Sequence, residues 1–172
     1  MPPFKEFTIK DAIPSIIASI FFIFQLIYGF FFATNEQNTP IAYLGIGTFL
    51  LSGFFGIAPI IMFPRKGRVE KGKSFVYTTK IVNTGIYAIM RHPQYSSFML
   101  WAIGAMLLFQ HPIIILLGIP VILFTYYDMI QEEKDNITKF GEAYVIYMNS
   151  VPRVNFILGL LRIITKKTIK KT

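Results

Sequence analysis

Two polar stretches of an otherwise apolar chain hold most of the side chains that could do chemistry. The first, residues 83–95, reads NTGIYAIMRHPQY and contains Arg91 and His92. The second, residues 131–153, reads QEEKDNITKFGEAYVIYMNSVPR and opens with two adjacent glutamates. The segment between them is almost wholly apolar, and ionisable groups are costly inside a lipid bilayer. We therefore predict that the two stretches meet on one side of a membrane and form a site there.

Each of these residues, taken alone, also has a simpler interpretation. His92 could cap a helix N-terminus or lie at the membrane interface, and Glu132 with Glu133 could form a solvated face beside the membrane. The tyrosines of both stretches could belong to an aromatic belt. Arg91 could be structural or could face lipid. Only the combination of these residues favours a binding site.

The composition predicts a membrane protein of one domain, residues 1–172. The chain is 53% hydrophobic and only 15% charged, with 18 phenylalanines, a balance that soluble domains of 172 residues seldom reach. It has no cysteine, which excludes disulfides, a thiolate nucleophile and cysteine-ligated metals. The net charge of +8 suits anionic lipid better than nucleic acid in so apolar a chain.

The apolar runs predict about four transmembrane helices in an all-α protein. Residues 14–33 and 41–62 contain no charged residue and are long enough to cross a hydrocarbon core of ~30 Å. Together they form an N-terminal two-helix part, residues 14–62. Two further apolar helices are expected over residues 93–109 and 113–130, joined by a short turn that requires an antiparallel hairpin.

The second predicted helix carries small residues that would let helix backbones approach closely. They are Gly45, Gly47, Ser52, Gly53 and Gly56. We expect this helix to pack against other helices. The alternative is a lipid-facing helix with scattered glycines.

The distribution of basic residues predicts the orientation. Residues 63–91 begin with a run rich in Lys, Arg and Gly and are expected to be extended or irregular. The turns at 34–40 and 110–112 contain none of the 17 Lys and Arg residues. The positive-inside rule therefore places both termini in the cytoplasm.

The C-terminal part is expected to leave the membrane and return to its surface. Phe140-Gly141 indicates a helix break, and residues 142–148 indicate a further helical piece. Residues 156–164 are too short for a span and precede a basic tail, which favours an interfacial helix on anionic headgroups. A disordered tail is the alternative.

The motifs TGIYAIMRHPQY, EE, FGEAYVIY and VPR, in this order, resemble the isoprenylcysteine carboxyl methyltransferase family and its relatives, the phospholipid N-methyltransferases. The resemblance covers residues 79–153, the expected catalytic core. It implies an integral membrane enzyme that uses S-adenosylmethionine, with a cytoplasmic C-terminal cofactor-binding region. It also implies methyl transfer to a lipophilic or amphiphilic acceptor, a reaction that needs no metal.

The resemblance also implies which residues contact the cofactor, including a strand at residues 79–82. The methyl donor needs a carboxylate for its ribose or amino group, backbone N–H groups for its own carboxylate and aromatic walls for adenine. The loop around Gly85 could supply the N–H groups. The implied cofactor-binding residues are Thr79, Lys80, Ile81, Val82, Tyr87, His92, Pro93, Gln94, Tyr95, Glu132 and Glu133, with Glu132 as the main carboxylate.

Two departures from the family pattern bear on the acceptor. Ser97 stands where the family commonly has glycine, a mild change. Asp128 stands where the prenylcysteine enzymes have an arginine that pairs with the substrate carboxylate. A carboxylate acceptor would be repelled there, so we expect an acceptor with an amine or another neutral-to-cationic nucleophile, such as an aminophospholipid. Asp128 and Arg153 are the catalytic candidates, although Asp128 could instead pair with Arg153 or a nearby lysine.

Other function classes stay open at this point. The first is isoprenylcysteine-type carboxyl methyl transfer. The second is a membrane scaffold or binding protein that has kept the fold without activity. The third is a small transporter, which would need polar residues within the spans, and the few serines and Gln25 there make a poor pathway. No obligate protein partner is evident.

Overall fold

A computed structural model describes residues 9–33, 37–66 and 80–169, with side chains described as far as residue 62 in the second segment and residue 165 in the third. These residues form seven α-helices. The helices are α1 (Ile9–Phe32), α2 (Thr39–Lys66), α3 (Ile86–Ile89), α4 (Pro93–Phe109), α5 (Pro112–Phe140), α6 (Glu142–Ser150) and α7 (Phe156–Ile169). The prediction of an all-α architecture is confirmed for this part of the chain.

Three of the helices are long and apolar enough to cross a membrane. They are residues 9–32, 39–62 and 112–140. Large apolar side chains on them point outward, among them Phe24, Phe30 and Leu50, where lipid would cover them. Helix α4 has 17 residues, about 26 Å at the α-helical rise, which is shorter than a hydrocarbon core of ~30 Å. The chain is an integral membrane protein.

The ends of two helices differ from the predicted ones. Helix α1 begins at Ile9 and includes Pro14, which lacks only one backbone donor and is tolerated in membrane helices. Helix α2 continues to Lys66, so the expectation of irregular structure from residue 63 is wrong for 63–66. The same expectation covered residues 86–89, which form α3, and residues 67–79, which lie outside the described part of the chain.

Helix α2 packs against α4 through small residues. A Cβ on Gly45 would lie 2.7 Å from the backbone nitrogen of Leu108, so the two helix backbones are nearly in contact. Two helical turns further along α2, Ser52 Oγ donates a 2.9 Å hydrogen bond to the carbonyl of Ser97, and Ser97 Oγ donates to the carbonyl of Ser52 at the same distance. Here the serine at position 97 makes use of its hydroxyl.

Only some of the small residues in α2 serve this contact. A Cβ on Gly56 would lie 2.9 Å from Ser97 Oγ, but no atom lies within 4 Å of one built on Gly47 or Gly53. Helical periodicity explains the difference, because Gly45, Ser52 and Gly56 fall on one face. The packing prediction is confirmed for that face and wrong for the two outward glycines.

Gln25 connects α1 to both α4 and α5 in the apolar layer. Its Nε2 donates to the carbonyl of Ala102 at 3.1 Å and to that of Ile114 at 3.0 Å. The side chain is fully buried, and Gly118 leaves room for it on α5. Such bonds stabilise helix association in a bilayer, where water cannot compete for the carbonyls.

The predicted turn at residues 110–112 is confirmed and is tied to the loop before α2. Gln110 adopts a left-handed conformation (φ 49°) at the end of α4. Its side chain accepts from Asn38 N at 3.0 Å and donates to Asn38 O at 2.9 Å. His111 caps α5, with Nδ1 accepting from Ile113 N at 3.2 Å. The α4–α5 hairpin and the α1–α2 connection therefore meet at this end of the bundle.

Helix α5 continues beyond residue 130, where its apolar run ends, through the second polar stretch as far as the predicted break. It ends where Gly141 takes a positive φ of 60°, which glycine adopts without strain. Helices α6 and α7 follow, so the predicted break and both predicted helical pieces are confirmed. The alternative of a disordered tail is wrong for residues 156–169. Helix α7 rests on α3, with Gly159 directly against the carbonyl of Ile89.

Candidate functional site

Backbone hydrogen bonds join the two polar stretches. Arg91 N donates to Pro152 O at 3.0 Å, and His92 N donates to Arg153 O at 3.1 Å. In addition, the hydroxyl of Tyr147 donates to the carbonyl of Tyr87 at 2.7 Å. The prediction that the two stretches meet is thereby confirmed.

Apolar residues hold the first stretch in place. Val82, Ile86, Tyr87 and Met90 are buried with Phe55 of α2 in one hydrophobic cluster. Gly85 precedes α3 with φ 65°, in the left-handed region that favours glycine. The loop that leads to His92 is therefore fixed both by packing and by its turn.

Glu133 is the centre of a buried ionic network. Its Oε1 accepts from Arg91 Nη2 at 2.7 Å and from Arg91 Nε at 3.1 Å. His92 Nε2 lies 3.1 Å from the same oxygen. The other carboxylate oxygen, Oε2, accepts from Arg153 Nη2 at 2.7 Å and from Arg153 Nε at 3.0 Å. Because these donors occupy both oxygens of a side chain that is 4% exposed, Glu133 acts as the connector of the two stretches.

Arg91 completes this network rather than facing lipid. Its Nη1 donates to the carbonyl of Met148 at 2.5 Å and to that of Val151 at 2.6 Å. With its contacts to Glu133, the guanidinium uses Nε and both terminal nitrogens in a buried position. The lipid-facing alternative is wrong, and the structural one is confirmed.

Glu132, the preceding residue, has a different environment. Its side chain is 46% exposed and its Oε1 lies 4.0 Å from His92 Nδ1. Asn136 Nδ2 donates to it at 3.4 Å, and Tyr95 on α4 is close enough to interact with it electrostatically. We call Glu132 and the residues around it the Glu132 cluster. Its members are Glu132, Tyr87, His92, Tyr95, Asn136 and Tyr144.

The tyrosines of this region are buried and stay neutral. Burial, followed by the nearby Glu132 charge, raises the pKa of Tyr144 to about 12 and also raises the pKa of Tyr87. Burial raises the pKa of Tyr147 as well. The Tyr144 ring packs edge-on against Tyr147, with centroids 5.8 Å apart. These rings form an aromatic wall next to a half-exposed carboxylate.

The remaining cofactor candidates fall into two groups. Pro93 is buried at the first position of α4, where its missing N–H costs nothing, and Gln94 beside it is exposed. Residues 80–82 form no strand, so the strand implied by the resemblance is wrong for them. Among the residues that the structure describes, no second strand lies beside them to supply ladder hydrogen bonds. Thr79 lies outside the described residues.

Lys80, Ile81 and Val82 differ in burial. Lys80 is exposed, Ile81 is partly buried against the Tyr144–Tyr147 cluster, and Val82 is buried under Tyr87. Of these three side chains, Lys80 is therefore the most exposed.

Asp128 lies at a mostly apolar cavity between α1, α4 and α5. The cavity has a volume of about 140 Å³, and we call it the Asp128 cavity. Its lining residues are Ser15, Ala18, Ser19, Phe22, Ile23, Tyr95, Phe98, Val121, Thr125 and Asp128. The Asp128 side chain accepts a hydrogen bond from Ser15 Oγ of α1. It is thus a polar group at the side of an apolar chamber.

Arg153 does not reach Asp128. Besides Glu133, it donates from Nη1 to the hydroxyl of Tyr126 at 2.8 Å, and its guanidinium lies over the Tyr126 ring at 5.7 Å. The alternative in which Asp128 pairs with Arg153 is therefore wrong. Among the side chains that the structure describes, the partner of Asp128 is Ser15.

Tyr95 belongs to both parts of this region. It is a neighbour of Glu132 and it lines the Asp128 cavity. Its ring also packs edge-on against His92, with centroids 5.6 Å apart. A polar cluster suited to an ionic ligand and a cavity suited to an apolar one are therefore adjacent. That arrangement can bring a water-soluble and a lipophilic molecule together.

Sequence reasoning missed two residues here. It ranked Glu133 below Glu132 without assigning it a partner, and it treated Ser15 only as a weak element of a transport path. Polar residues four apart in an otherwise apolar helix, Ser15 and Ser19, were the available signal. Nothing in the sequence indicated that Ser15 would face Asp128.

Comparisons with known proteins match this region of the chain. The model of the isoprenylcysteine carboxyl methyltransferase (ICMT) family matches residues 71–139. Protein-S-isoprenylcysteine O-methyltransferase B of Arabidopsis thaliana is 31% identical over 110 residues, which cover 57% of this chain and 56% of the relative. The Saccharomyces cerevisiae protein-S-isoprenylcysteine O-methyltransferase is 40% identical over 72 residues, 41% of this chain and 30% of the relative.

A longer match extends further along the chain. The Schizosaccharomyces pombe protein-S-isoprenylcysteine O-methyltransferase is 27% identical over 126 residues, 67% of this chain and 48% of the relative. The chain thus spans about half the length, or less, of these curated relatives. No solved structure matches it significantly.

Proposed function

We propose that this chain, whose residues 71–139 match the model of the isoprenylcysteine carboxyl methyltransferase family, transfers a methyl group from S-adenosylmethionine to a lipophilic acceptor at a membrane face. The observation that carries the proposal is that Tyr95 belongs to the Glu132 cluster and also lines the Asp128 cavity. The relatives named above are methyltransferases, which favours an enzyme over a membrane scaffold or a transporter.

The residues of the Glu132 cluster suit the donor. The half-exposed carboxylate of Glu132 is available to the ribose hydroxyls or the amino group, whereas Glu133 is occupied by two arginines and a histidine. Tyr87 and Tyr144 offer aromatic surface for adenine, and the backbone around Gly85 offers N–H groups for the donor carboxylate. When bound, the donor supplies a methyl group on a sulfonium cation.

Positioning and exclusion of water are the tasks left to the protein. Methyl transfer is an in-line displacement, so the acceptor atom must lie opposite the leaving sulfur, and ordered alignment contributes much of the rate. The Glu133 network fixes His92 and the loop before α4. Tyr95 and the apolar walls of the Asp128 cavity exclude water from the reacting atoms. Arg153 would act here by orienting Glu133 and Tyr126.

The acceptor has two candidates. The relatives are named isoprenylcysteine O-methyltransferases, and this favours a prenylated cysteine carboxylate as the acceptor. The apolar walls of the Asp128 cavity fit a prenyl chain or another lipid chain equally.

The second candidate is an amine-bearing lipid, and Asp128 favours it. A carboxylate beside the cavity attracts an amine headgroup and repels a carboxylate. Arg153, 25 residues further along the chain, does not neutralise this charge, because it is bound to Glu133 and Tyr126. An amine must also lose a proton before it attacks, and in this proposal Asp128 accepts that proton directly or through water.

One assay tests the proposal and ranks the acceptors. Purified protein is incubated with methyl-labelled S-adenosylmethionine and, separately, with a farnesylated cysteine derivative, phosphatidylethanolamine and a total lipid extract. We expect label in at least one lipophilic product. Absence of labelled product from all three, with protein that is folded and pure, would contradict the proposal.

We further propose that α4 completes a set of four spans with both termini in the cytoplasm. The absence of Lys and Arg from the turn at 110–112 and from residues 34–40 supports this orientation. Helix α7 has outward-facing apolar residues, among them Leu158 and Leu161, and is followed by lysines. It would lie on the cytoplasmic surface with its basic end on anionic headgroups.

A further inference from the structure

The N-terminal helix contributes half of the residues around the Asp128 cavity, although it lies outside the segment that the family model matches. Ser15, Ala18, Ser19, Phe22 and Ile23 all belong to α1, whereas the family model matches residues 71–139. The shared core therefore does not by itself define this cavity. The cavity-lining residues of α1 can therefore differ from one relative to another.

Ser15 is the α1 residue that touches the charged group of the cavity. Its hydroxyl donates to Oδ2 of Asp128, across 113 residues of sequence. Asp128 is 8% exposed, so little water competes for this bond, and a hydrogen bond to a charged acceptor is stronger than one between neutral groups. No described residue donates to the other oxygen, Oδ1.

Ser19 lines the same cavity but does not share this role. Its hydroxyl donates to the carbonyl of Ser15 within α1, at 2.8 Å. The two serines are one helical turn apart. Ser15 binds Asp128, whereas Ser19 binds the backbone of its own helix. They form a matched pair in which only one hydroxyl reaches the carboxylate.

We propose that Ser15 is a positioning residue that holds Asp128 with one oxygen directed at the acceptor, and that the Ser15–Asp128 pair makes the cavity selective for a cationic or amine headgroup over a carboxylate. The inference rests on the proposed acceptor role of this cavity. It assigns headgroup selectivity to a contact between α1 and α5. A bound amine replaces water around Asp128, and Ser15 keeps the carboxylate from rotating away.

Trp101 provides an internal reporter for this test. It is the only tryptophan of the chain. Its ring stacks on Phe22 with centroids 5.6 Å apart and meets Phe98 edge-on at 5.9 Å, and both phenylalanines line the cavity. A brominated chain that enters the cavity should therefore quench its fluorescence.

The experiment compares an ω-bromoalkylamine with the ω-bromoalkanoic acid of equal chain length. The full-length protein is placed in nanodiscs of zwitterionic lipid, and each affinity is corrected for the partition of the probe into protein-free discs. We expect wild type to prefer the amine by about tenfold, which corresponds to one hydrogen bond to a charged group. Ser15→Ala should reduce the preference several-fold, and Ser15→Thr should retain it because the hydroxyl remains.

Two further variants separate selectivity from general damage. Ser19→Ala should move both affinities together and keep their ratio, whereas Asp128→Asn should abolish the preference. If Ser15→Ala does not fold, Ser15→Cys takes its place, because cysteine keeps the size of the side chain but is a weak donor. The preference of Ser15→Cys for the amine should also be lower than that of wild type. The affinity for S-adenosylmethionine should be unchanged in Ser15→Ala.

A wild-type protein without preference for the amine, or a Ser15→Ala variant with the wild-type ratio, would overturn the inference. Because the quenching is measured without methyl donor, this result is independent of the labelled-product assay. Methyl transfer to a farnesylated cysteine without any amine preference would leave the proposed function standing and remove the role of Ser15. Absence of methyl transfer together with a Ser15-dependent amine preference would remove the proposed function and leave the role of Ser15 standing.

Discussion

Arg91 and Glu133, 42 residues apart in the chain, form a 2.7 Å ion pair in which both side chains are almost fully buried. Arg91 comes from the loop before α4, and Glu133 from the part of α5 that lies beyond its apolar run. A buried pair of this kind is costly to break, because the remaining charge loses its partner without gaining water. It explains how two polar stretches separated by an apolar hairpin are held as one unit.

The first prediction concerns this pair. Glu133→Gln should lower the free energy of unfolding by about 3–5 kcal/mol, because Arg91 and Arg153 are left facing a neutral group. Reversible unfolding in mixed detergent micelles measures the change. The control is Glu132→Gln, which removes a neighbouring charge that is half exposed and should change stability little. Equal stability of the two variants would contradict the role assigned to Glu133.

A second prediction concerns the contact between α2 and α4. Gly45→Ala would place a Cβ 2.7 Å from the Leu108 backbone nitrogen and 3.0 Å from the Gly104 carbonyl. Backbone atoms cannot move aside singly, so the helices must separate at a cost of about 1–3 kcal/mol. Gly47→Ala is the matched control, since no atom lies within 4 Å of its added Cβ. A thermal shift in Gly47→Ala as large as in Gly45→Ala would refute this packing.

Alkaline titration tests the aromatic wall. The pKa of Tyr144 is raised from 10.0 to about 12, first by burial and then by the Glu132 charge. A raised folded-state pKa favours the neutral form, so its stabilising contribution is complete below pH 10 and declines as the pH rises from about 10 through 12. Tyrosinate absorbance of wild type should show a step near pH 12 that Tyr144→Phe lacks. A Tyr144 that ionises near pH 10 in the folded protein would contradict its burial.

The proposed orientation can be tested without background labelling, because the chain has no cysteine. We expect Gln37→Cys to react with a membrane-impermeant maleimide in intact cells, since it lies in the outer loop. Thr172→Cys should react only after the cells are opened, since the C-terminus is cytoplasmic in the four-span arrangement. Labelling of both positions, or of neither, in intact cells would contradict the arrangement, which places three spans, an odd number, between residue 37 and the C-terminus.

Much of the fold follows from the sequence because long uncharged runs have few alternatives in a bilayer. Helices α1, α2 and α5 were predictable as spans, and the break at Gly141 follows from a glycine at the end of a helical pattern. The continuation of α2 to Lys66 was not, because helical hydrogen bonding does not stop where the side chains become polar. The end of α2 depends on solvent and neighbours rather than on the apolar run itself.

The site was predictable as a region but not in the roles of its members. Successive residues of a helix point about 100° apart, so of Glu132 and Glu133 only one can face the Arg91 loop. The sequence does not say which, because the choice depends on how α5 is rotated against α4. The contact of Ser15 with Asp128 depends likewise on the packing of α1 beside α5, over 113 residues of chain.

The most direct test of the account is equilibrium binding of S-adenosylmethionine to purified protein, with Glu132→Ala and Glu133→Gln beside wild type. Glu132 is the half-exposed carboxylate of the cluster, and loss of a hydrogen bond from a charged partner costs ~1.5–3 kcal/mol. We expect wild type to bind the donor and Glu132→Ala to bind it about ten- to a hundredfold more weakly while keeping wild-type stability. Wild-type protein that does not bind S-adenosylmethionine, or a Glu132→Ala variant with undiminished affinity, would contradict the assignment of this site.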